Sequence, residues 1–576
     1  MNNYQEAIDA LKTALRGIRY RVLESYHKNK FDFEQDLELW EVASKIIFPD
    51  GSMKPVKLWV QFPSEYPVVF PRVFVSKVDY PKFEFGPHVE SDGKICLFSN
   101  QAQPIMTETV RVLKEALNRA HTILEEALEE IPTSAYEEEF ESYWSQTYGK
   151  KDQVEYKYLI IAEKPLGKFT QVLLLDKNPI SLKKVIYQDE ALIKPFKEML
   201  QRQNIKYNQY PVFVFGELPF FRKPPFHLTN IQLKKNLENF DSALYKNFIN
   251  FYNQNPDSRF FIFQKVINET TRYFGWRHQP LRKVTGFQAK TVNEKFEFLL
   301  KVKPTQHIIR IYPQVYSISR LMDRSVGLPM TEAPSYTIAG LGSIGSHLIH
   351  FLDGPGILFH LIDTDYLSLE NTGRHLLGFQ YINWKKTEAL KDYLTLRHPL
   401  RSIKVKTESV LEVLEKDSNF IQRTNALFVC IGEYNKEQTI AKALQYKIFS
   451  RPTFLLWVEP YGIAGHCIFL HPENPDYQRY HNNGNFIHSL IEDLSHEALA
   501  KQEAGCQSIY TPYAPNSVQF FLGALVPHIT KILKNPDAYK THVFSWIGNL
   551  EIAKELEITL KAETANYYFG EKRIIE

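Results

Sequence analysis

The sequence predicts a multidomain chain of mixed α and β structure. It divides into an α+β region over residues 1–150, an α+β linker over residues 151–325 and an α/β region over residues 326–576. Three observations carry this. The chain has 576 residues, whereas one domain takes about 100–200. The first region runs helix, strands, loop, helix. The third alternates strand and helix, the pattern of a parallel sheet covered on both faces.

The first region opens on MNNYQEAIDALKTALRGIRY, which reads as an amphipathic helix without the continuous apolar core of a signal peptide. LELWEVASKIIF, VKLWVQF and RVFVSKV are rich in β-branched and aromatic residues and are joined by turn residues such as Pro49-Asp50-Gly51. A helix is expected over Thr109–Glu130, with Val110, Leu113, Leu117, Leu124 and Leu128 on one face and Ile131-Pro132 ending it. In the linker, YKYLIIAE, TQVLLLD, YPVFVFGEL, FEFLLKV and HIIRIY read as strands between Asn- and Lys-rich helical stretches, and no catalytic set assembles there. In the third region SYTIAG, GILFHLID, SIKVKTE, NALFVCIG and TFLLWVEP read as strands, with helices near Lys385–Leu396 and from Ser517.

Composition narrows the function. A net charge of +3 gives no reason to expect nucleic acid or an anionic membrane as partner. No run of 18 apolar residues occurs, so no membrane span is expected. The four cysteines, Cys96, Cys430, Cys467 and Cys506, are too few for a disulfide framework. They form no C-x-x-C pair, so no structural zinc is expected. A reducing cytoplasm is the expected compartment, in which thiols can serve as nucleophiles.

The third region contains Gly340-Leu341-Gly342-Ser343-Ile344-Gly345, directly after a strand and at the start of a helix. Glycines there allow a tight turn and let backbone N–H groups approach phosphate at the helix N-terminus, although they also serve close helix–strand packing. Asp363 ends the next strand, where an acid can hydrogen-bond ribose hydroxyls. A dehydrogenase would stop at that acid. Here Asn371, Arg374, Lys385 and Lys386 follow, and positive groups suit a triphosphate whose charge must be neutralised as pyrophosphate leaves. Singly, each is an ordinary surface residue; together their spacing is informative.

LIDTDYLSLENTGRHLLGFQYINWKKTEAL resembles the adenylation core of the E1/ThiF/MoeB superfamily, with an acid, then Asn-x-x-Arg, then a Lys opening the next helix. The resemblance implies a Rossmann-like domain that binds ATP with Mg²⁺. It implies Asp363 for the ribose and Asn371, Arg374 and Lys386 for the phosphates, beside Gly340, Gly342 and Gly345. It puts Glu433, in VCIGEYN, near the family's last acidic ligand, usually Asp, as the candidate for Mg²⁺. It implies an arginine lent across a homodimer, with Arg320 and Arg324 in SRLMDRSVG as candidates. The zinc-binding C-x-x-C pairs of many relatives are missing.

Cys506 lies in KQEAGCQSIYTPYAPNS, a polar segment in which nothing requires a buried thiol. Its Gly-Cys and Tyr-rich stretch resemble the loop that carries the catalytic cysteine in E1 relatives; an unreactive thiol is the alternative. Cys96 lies in FGPHVESDGKICLFSN after EYPVVFPRV. Ile-Cys-Leu alone would read as core. The whole, over about residues 20–130, resembles the UBC-like fold of E2 conjugating enzymes: Y-P-x-x-x-P-x-V, a short motif, then the acceptor cysteine. E2 enzymes usually have His-Pro-Asn; here Gly86-Pro87-His88 puts His88 at the Asn place. The resemblance implies an oxyanion donor there, and a structural His is the alternative. Cys430 and Cys467, in FVC and HCIFL, are assigned to the core. The C-terminal histidines lack metal spacing, and Tyr461–Gly465 reads as a strand bend.

The expected function is activation of a protein's C-terminal carboxylate by ATP, relay of the acyl group from Cys506 to Cys96, and ligation to an acceptor lysine. The domain order resembles the bacterial E2–E1 fusions of CBASS anti-phage operons. That resemblance implies a cGAS/DncV-like nucleotidyltransferase as the protein whose tail is activated. Conjugation of a ubiquitin-like protein from another operon and a tail-binding module without chemistry are the alternatives. The basic residues after Asp363 argue against a dinucleotide-dependent oxidoreductase, and the pair Cys96 and Cys506 against a module without chemistry.

Overall fold

The computed structural model describes residues 3–14, 19–24, 37–98, 102–148, 152–176, 182–267, 269–279, 295–326, 334–502 and 509–576. The chain clusters into two compact units, one of Met1–Gln188 with Lys206–Tyr316 and one of Asp189–Ile205 with Ser317–Glu576. Helix Glu190–Arg202, inside the expected linker, therefore packs with the C-terminal unit. Asp189 caps its first turn, and the Arg202 guanidinium lies 3.6 Å from the Asp392 carboxylate. Among the described residues no helix is long and apolar enough to cross a membrane.

In the first unit, β1 (Tyr20–Val22), β2 (Leu39–Ile47), β3 (Met53–Gln61) and β4 (Arg72–Val75) form an antiparallel sheet in sequence order. The β2–β3 hairpin turns through Gly51 at φ +75°, a conformation that favours glycine, and the Asp50 carboxylate accepts from the Ser52 N–H at 2.9 Å. Alternate residues Trp40, Val42 and Ile46 of β2 point into the core with Val56, Leu58 and Val60 of β3. Helix Thr109–Glu126 closes that core with Leu113, Ala116, Leu117, Ala120 and Leu124, the stripe expected of an amphipathic helix. It ends four residues before the expected Glu130.

The same unit holds β5 (Gln153–Glu155), β6 (Tyr158–Ile161), β7 (Gln171–Leu175), β8 (Lys184–Tyr187), β9 (Tyr207–Pro211), β10 (Phe213–Phe215), β11 (Phe260–Ile267), β12 (Thr270–Arg277), β13 (Ile309–Ile311) and β14 (Gln314–Tyr316). They make two five-stranded sheets, ordered β10-β11-β12-β13-β5 and β14-β6-β8-β7-β9. FEFLLKV is a helix, Phe296–Val302, and not the expected strand. Phe296 and Leu299 are buried three apart while Phe298 is exposed, a helical rather than a two-residue period. Arg310 on β13 is fully buried. Its guanidinium donates to the main-chain oxygens of Tyr143 and Trp144 at 2.8 and 2.9 Å, and also to the Gln146 carbonyl and the Asp152 carboxylate. Trp144 Nε1 donates to Ile311 O at 3.0 Å. These bonds join the segment after the first domain's helix to β13, so the two sequence regions fold as one unit.

The C-terminal unit is built on β15 (Ser335–Ala339), β16 (Leu358–Ile362), β17 (Ile403–Lys406), β18 (Ala426–Val429), β19 (Thr453–Val458), β20 (Ala464–Leu470), β25 (His542–Ile547) and β26 (Lys572–Ile575), ordered β17-β16-β15-β18-β19-β20-β25-β26. The first five are parallel; β20, β25 and β26 run antiparallel. The five strands expected from the sequence are the parallel ones, and the sheet continues antiparallel because Tyr461-Gly462, both at positive φ, turn the chain straight back after β19. Two short ladders, β21 (His481–Asn482) with β22 (Asn485–Phe486) and β23 (Lys501–Gln502) with β24 (Ile509–Tyr510), lie between β20 and β25 in sequence. Alternate residues of β18 feed separate cores. Ala426 and Phe428 join helices Ser343–Leu352 and Pro515–Lys534, and Leu427 and Val429 join helices Val410–Asp417 and Tyr434–Gln445.

Candidate functional site

Two sites emerge, one in each unit. In the C-terminal unit the three glycines after β15 have distinct tasks. Gly340 has φ +87°, and a Cβ there would stand 2.7 Å from Cys430 O. A Cβ on Gly345 would stand 1.9 Å from Gly340 O, so the helix can pack on the loop only without it. A Cβ on Gly342 would meet nothing within 4 Å. Two glycines therefore serve packing, and the third leaves free space at the N-terminus of helix Ser343–Leu352, where amides and the helix dipole favour an anion.

That space opens on a cavity of about 550 Å³ lined by Gly342, Ser343, Asn371, Arg374 and Lys386, four of them expected from the sequence. Asp363 is not among the lining residues; it braces the loop, accepting from the Leu341 N–H at 2.6 Å and the Asp365 N–H at 2.7 Å, and burial raises its pKa. The largely buried Lys386 donates to the Asp365 carboxylate at 2.9 Å. Burial works against the charged form of Asp365, but Lys386 outweighs it and holds the acid below the usual carboxylate range. Arg374 donates to Thr511 O at 3.2 Å and lies over the Tyr513 ring at 5.2 Å.

Thr511 and Tyr513 also line the cavity, with Tyr510. Cys506 lies outside the described residues, but the chain on either side of it is placed. Lys501–Gln502 pair antiparallel with Ile509–Tyr510. Tyr510 follows Cys506 by four residues, a reach of about 14 Å at most. Arg320 and Arg324 lie on helix Ile318–Val326, before β15, and neither lines the cavity.

The acid at the cavity is not the expected one. Glu433 is exposed and pairs with Lys436 Nζ at 2.7 Å. One turn later on the same helix, Glu437 is buried and lines the cavity, accepting from the Gly432 N–H at 3.1 Å and the Tyr477 hydroxyl at 3.0 Å. Burial pushes its pKa up to about 7. Among the described residues no group of three His, Cys, Asp or Glu is placed to hold a metal ion. His375 was also missed. Burial lowers its pKa to about 4, so the neutral ring donates from Nε2 to Leu341 O at 2.8 Å and accepts the Leu377 N–H at Nδ1. Cys467 is buried as expected, and Cys430, half-buried, packs against the same core where it borders the cavity.

In the first unit, residues 89–95 make a tight turn beside β4. Val89 bridges Ile95, the Glu90 N–H donates to Lys94 O at 2.8 Å, and Ile95 N–H donates to Val73 O at 2.9 Å. Gly93 has φ +89°, and a Cβ there would stand 2.9 Å from Val75 O. Ile95 and Leu97 face inward, so Cys96 between them faces out. Its thiol donates to Glu90 Oε1 at 3.0 Å, and Lys94 Nζ reaches the same oxygen at 3.0 Å. Desolvation by the surrounding protein, then Glu90, push the thiol up to about 12. His88 touches Cys96 through the backbone, its carbonyl accepting the Cys96 N–H at 2.9 Å. Its ring turns to Glu139, with Nδ1 3.1 Å from the carboxylate. Nothing in the sequence motif marks Glu90; its signal is its place across the turn from the cysteine.

Residues 25–152 match the prokaryotic E2 family B, and residues 328–538 match the ThiF family. No curated protein matches the chain. Among solved structures, the chain is similar to PaaA at 14% identity and a TM-score of 0.30, over 42% of this chain and 64% of that one. It is similar to E. coli MccB with MccA-N7isoASN at 13% and 0.27, and to E. coli MccB with ATP at 13% and 0.26, each over 40% of this chain and 63% of that one. The chain thus spans just under two thirds of the length of those proteins. A segment that matches an E2 family thus precedes one that matches the ThiF family along the chain.

Proposed function

We propose that the chain adenylates the C-terminal carboxylate of a protein and passes the acyl group from Cys506 to Cys96 and on to an amine. The observation that carries this is the cavity wall: Gly342, Arg374 and Lys386 share it with Tyr510, Thr511 and Tyr513, the residues that follow Cys506. The carboxylate attacks the α-phosphorus of ATP, and pyrophosphate leaves. Gly342 and the helix N-terminus receive phosphate oxygens, Arg374 and Lys386 neutralise the departing charge, and Asn371 orients the chain beside them. Asp363 serves the ribose side while it braces the loop.

Glu437 fits Mg²⁺ better than Glu433, since one carboxylate plus nucleotide phosphates is an ordinary Mg²⁺ environment and Glu433 is engaged by Lys436. When bound, the ion offsets phosphate charge. Cys506 thiolate then displaces AMP, and Cys96 takes the acyl group by thioester exchange. Each transfer is easier than direct condensation. At Cys96, His88 stabilises the oxyanion formed when an acceptor lysine attacks. A cGAS/DncV-like nucleotidyltransferase of an anti-phage operon is the proposed tail donor, and the enzyme works as a cytoplasmic homodimer to which Arg324 contributes in trans.

The test uses a DncV-like nucleotidyltransferase as tail donor. Labelled pyrophosphate should exchange into ATP, and Arg374→Ala should suppress exchange. Cys506→Ala should still support exchange but load neither cysteine, and Cys96→Ala should stall at a reducible Cys506 thioester. Normal loading of Cys96 in Cys506→Ala would refute the relay.

A further inference from the structure

We infer that Glu90 is the general base of the Cys96 site, taking the thiol proton as Cys96 attacks a thioester and a proton from the amine as loaded Cys96 is discharged. This rests on the conjugating role proposed for Cys96. Three features of the turn carry it. The Glu90 backbone is fixed by its bonds to Lys94 and Gly93, at 2.8 and 2.9 Å. Its Oε1 stands 3.0 Å from the sulfur, within hydrogen-bond reach of the proton it must take. Lys94 reaches that same oxygen and holds the carboxylate in place.

The site needs a base. The charged groups that act on the sulfur are Glu90, Lys94 and Glu139. Desolvation and Glu90 together keep the thiol protonated, so little free thiolate exists to attack. The His88 ring turns its Nδ1 to the Glu139 carboxylate at 3.1 Å, so Glu90 is the base in hydrogen-bond contact with the sulfur. A neighbouring base that takes the proton during attack is the usual remedy for a weak nucleophile.

The steps balance. In loading, a bond forms between Cys96 Sγ and the acyl carbon, and the bond to the donor sulfur breaks. The Cys96 proton passes to Glu90 and then to the departing thiolate. In discharge, the nitrogen–carbon bond forms and the carbon–Sγ bond breaks. Of the two protons an ammonium loses, one reaches Sγ through Glu90 and the other goes to solvent.

The test charges the full chain with a fluorescein-labelled glycyl thioester of 2-mercaptoethanesulfonate, discharges it with free lysine, and reads Cys96 by peptide mass mapping. Alkylation of Cys96 by iodoacetamide is measured alongside. Glu90→Gln should slow both charging and discharge by about 10²–10³ at neutral pH, with part of the rate recovered in Glu90→Asp. It should speed alkylation, because loss of the carboxylate's charge frees the thiolate. That opposition of signs is not what a merely structural Glu90 would give. Transfer at the wild-type rate in Glu90→Gln, or transfer and alkylation slowing together, would overturn the assignment. Wild-type enzyme that never carries acyl at Cys96 would instead sink the conjugating role, and this inference with it.

Discussion

Gly342 and Gly345 belong to one motif, yet they should respond oppositely to the same methyl group. In Gly345→Ala the new Cβ would lie 1.9 Å from Gly340 O, against the 3.0 Å that real Cβ contacts respect. The loop and the helix must then part by about 1 Å. The close contact is with backbone, so no flexible side chain can yield, and Cys430 Cβ stands 3.5 Å from the same position. Overpacking of this kind costs about 1–3 kcal/mol or more. For a unit of this size each kcal/mol lowers Tm by about 2–4 °C. Gly342 has φ −74°, open to any residue, and free space around its Cβ position. Gly342→Ala loses a little as a helix N-cap and gains about as much from a stiffer unfolded chain, so stability should stay within about 0.5 kcal/mol.

Binding should divide the other way. The space beside Gly342 is where phosphate oxygens are expected, so a methyl there should weaken ATP at least tenfold, about 1.4 kcal/mol, in a protein that melts normally. Thermal unfolding and calorimetric titration with ATP measure the two quantities. If Gly342→Ala binds ATP as wild type does, or melts as low as Gly345→Ala, the division of labour among these glycines is wrong.

Arg310→Met should destabilise the first unit by about 3–5 kcal/mol in urea unfolding, because it strands the buried Asp152 carboxylate and three carbonyls; adding Asp152→Asn should restore part of the loss. Glu437, with a folded pKa of about 7 against an unfolded value near 4.5, holds an extra proton across that window. Its stabilising share is complete below the unfolded value and is lost as pH rises through 7, a fall of about 3 kcal/mol that Glu437→Gln should remove from the stability–pH curve. His88→Ala should slow discharge of the Cys96 thioester to amines by about 10²–10³ while charging stays near wild type. His88→Asn, which tolerates the φ of +61° found there, should keep discharge; an equal fall of charging and discharge in His88→Ala would mark the ring as structural.

What could be read from the sequence was what periodicity and backbone chemistry encode locally. The stripe Leu113, Leu117, Leu124 announced its helix, and the strand–glycine–helix run announced the nucleotide loop. The direction of β20 was not encoded. AGHCIFL is buried at all seven positions of β20, and such a run reads alike in parallel and antiparallel company. FEFLLKV was misread because five apolar residues in seven fit either period, and packing against Phe248 and Tyr252 decided for helix. Helix phase was beyond reach as well. An acid was expected just after β18, but which of Glu433 and Glu437 faces inward depends on the helix's rotation over the sheet. Glu90 was missed because its relation to Cys96 crosses a turn, and the motif records only residues along the chain.

Buried charge alone does not separate a site from a brace; unspent hydrogen-bonding capacity beside open space does. Arg310 is as buried as any residue in the chain, but its guanidinium reaches three carbonyls and a carboxylate within a closed core. It has little left to offer, and its work is to hold Tyr143, Trp144, Gln146 and Asp152 against β13. Lys386 is nearly as buried, yet of its three donors one meets Asp365, and it borders the cavity. Arg374 commits one nitrogen to Thr511 O and lines the same space. An anion entering there finds donors already desolvated and held in place, so the cost of ordering them was met during folding. Cys96 obeys the same rule in reverse. Its neighbours Ile95 and Leu97 are buried, while Cys96 is exposed and its thiol meets a carboxylate.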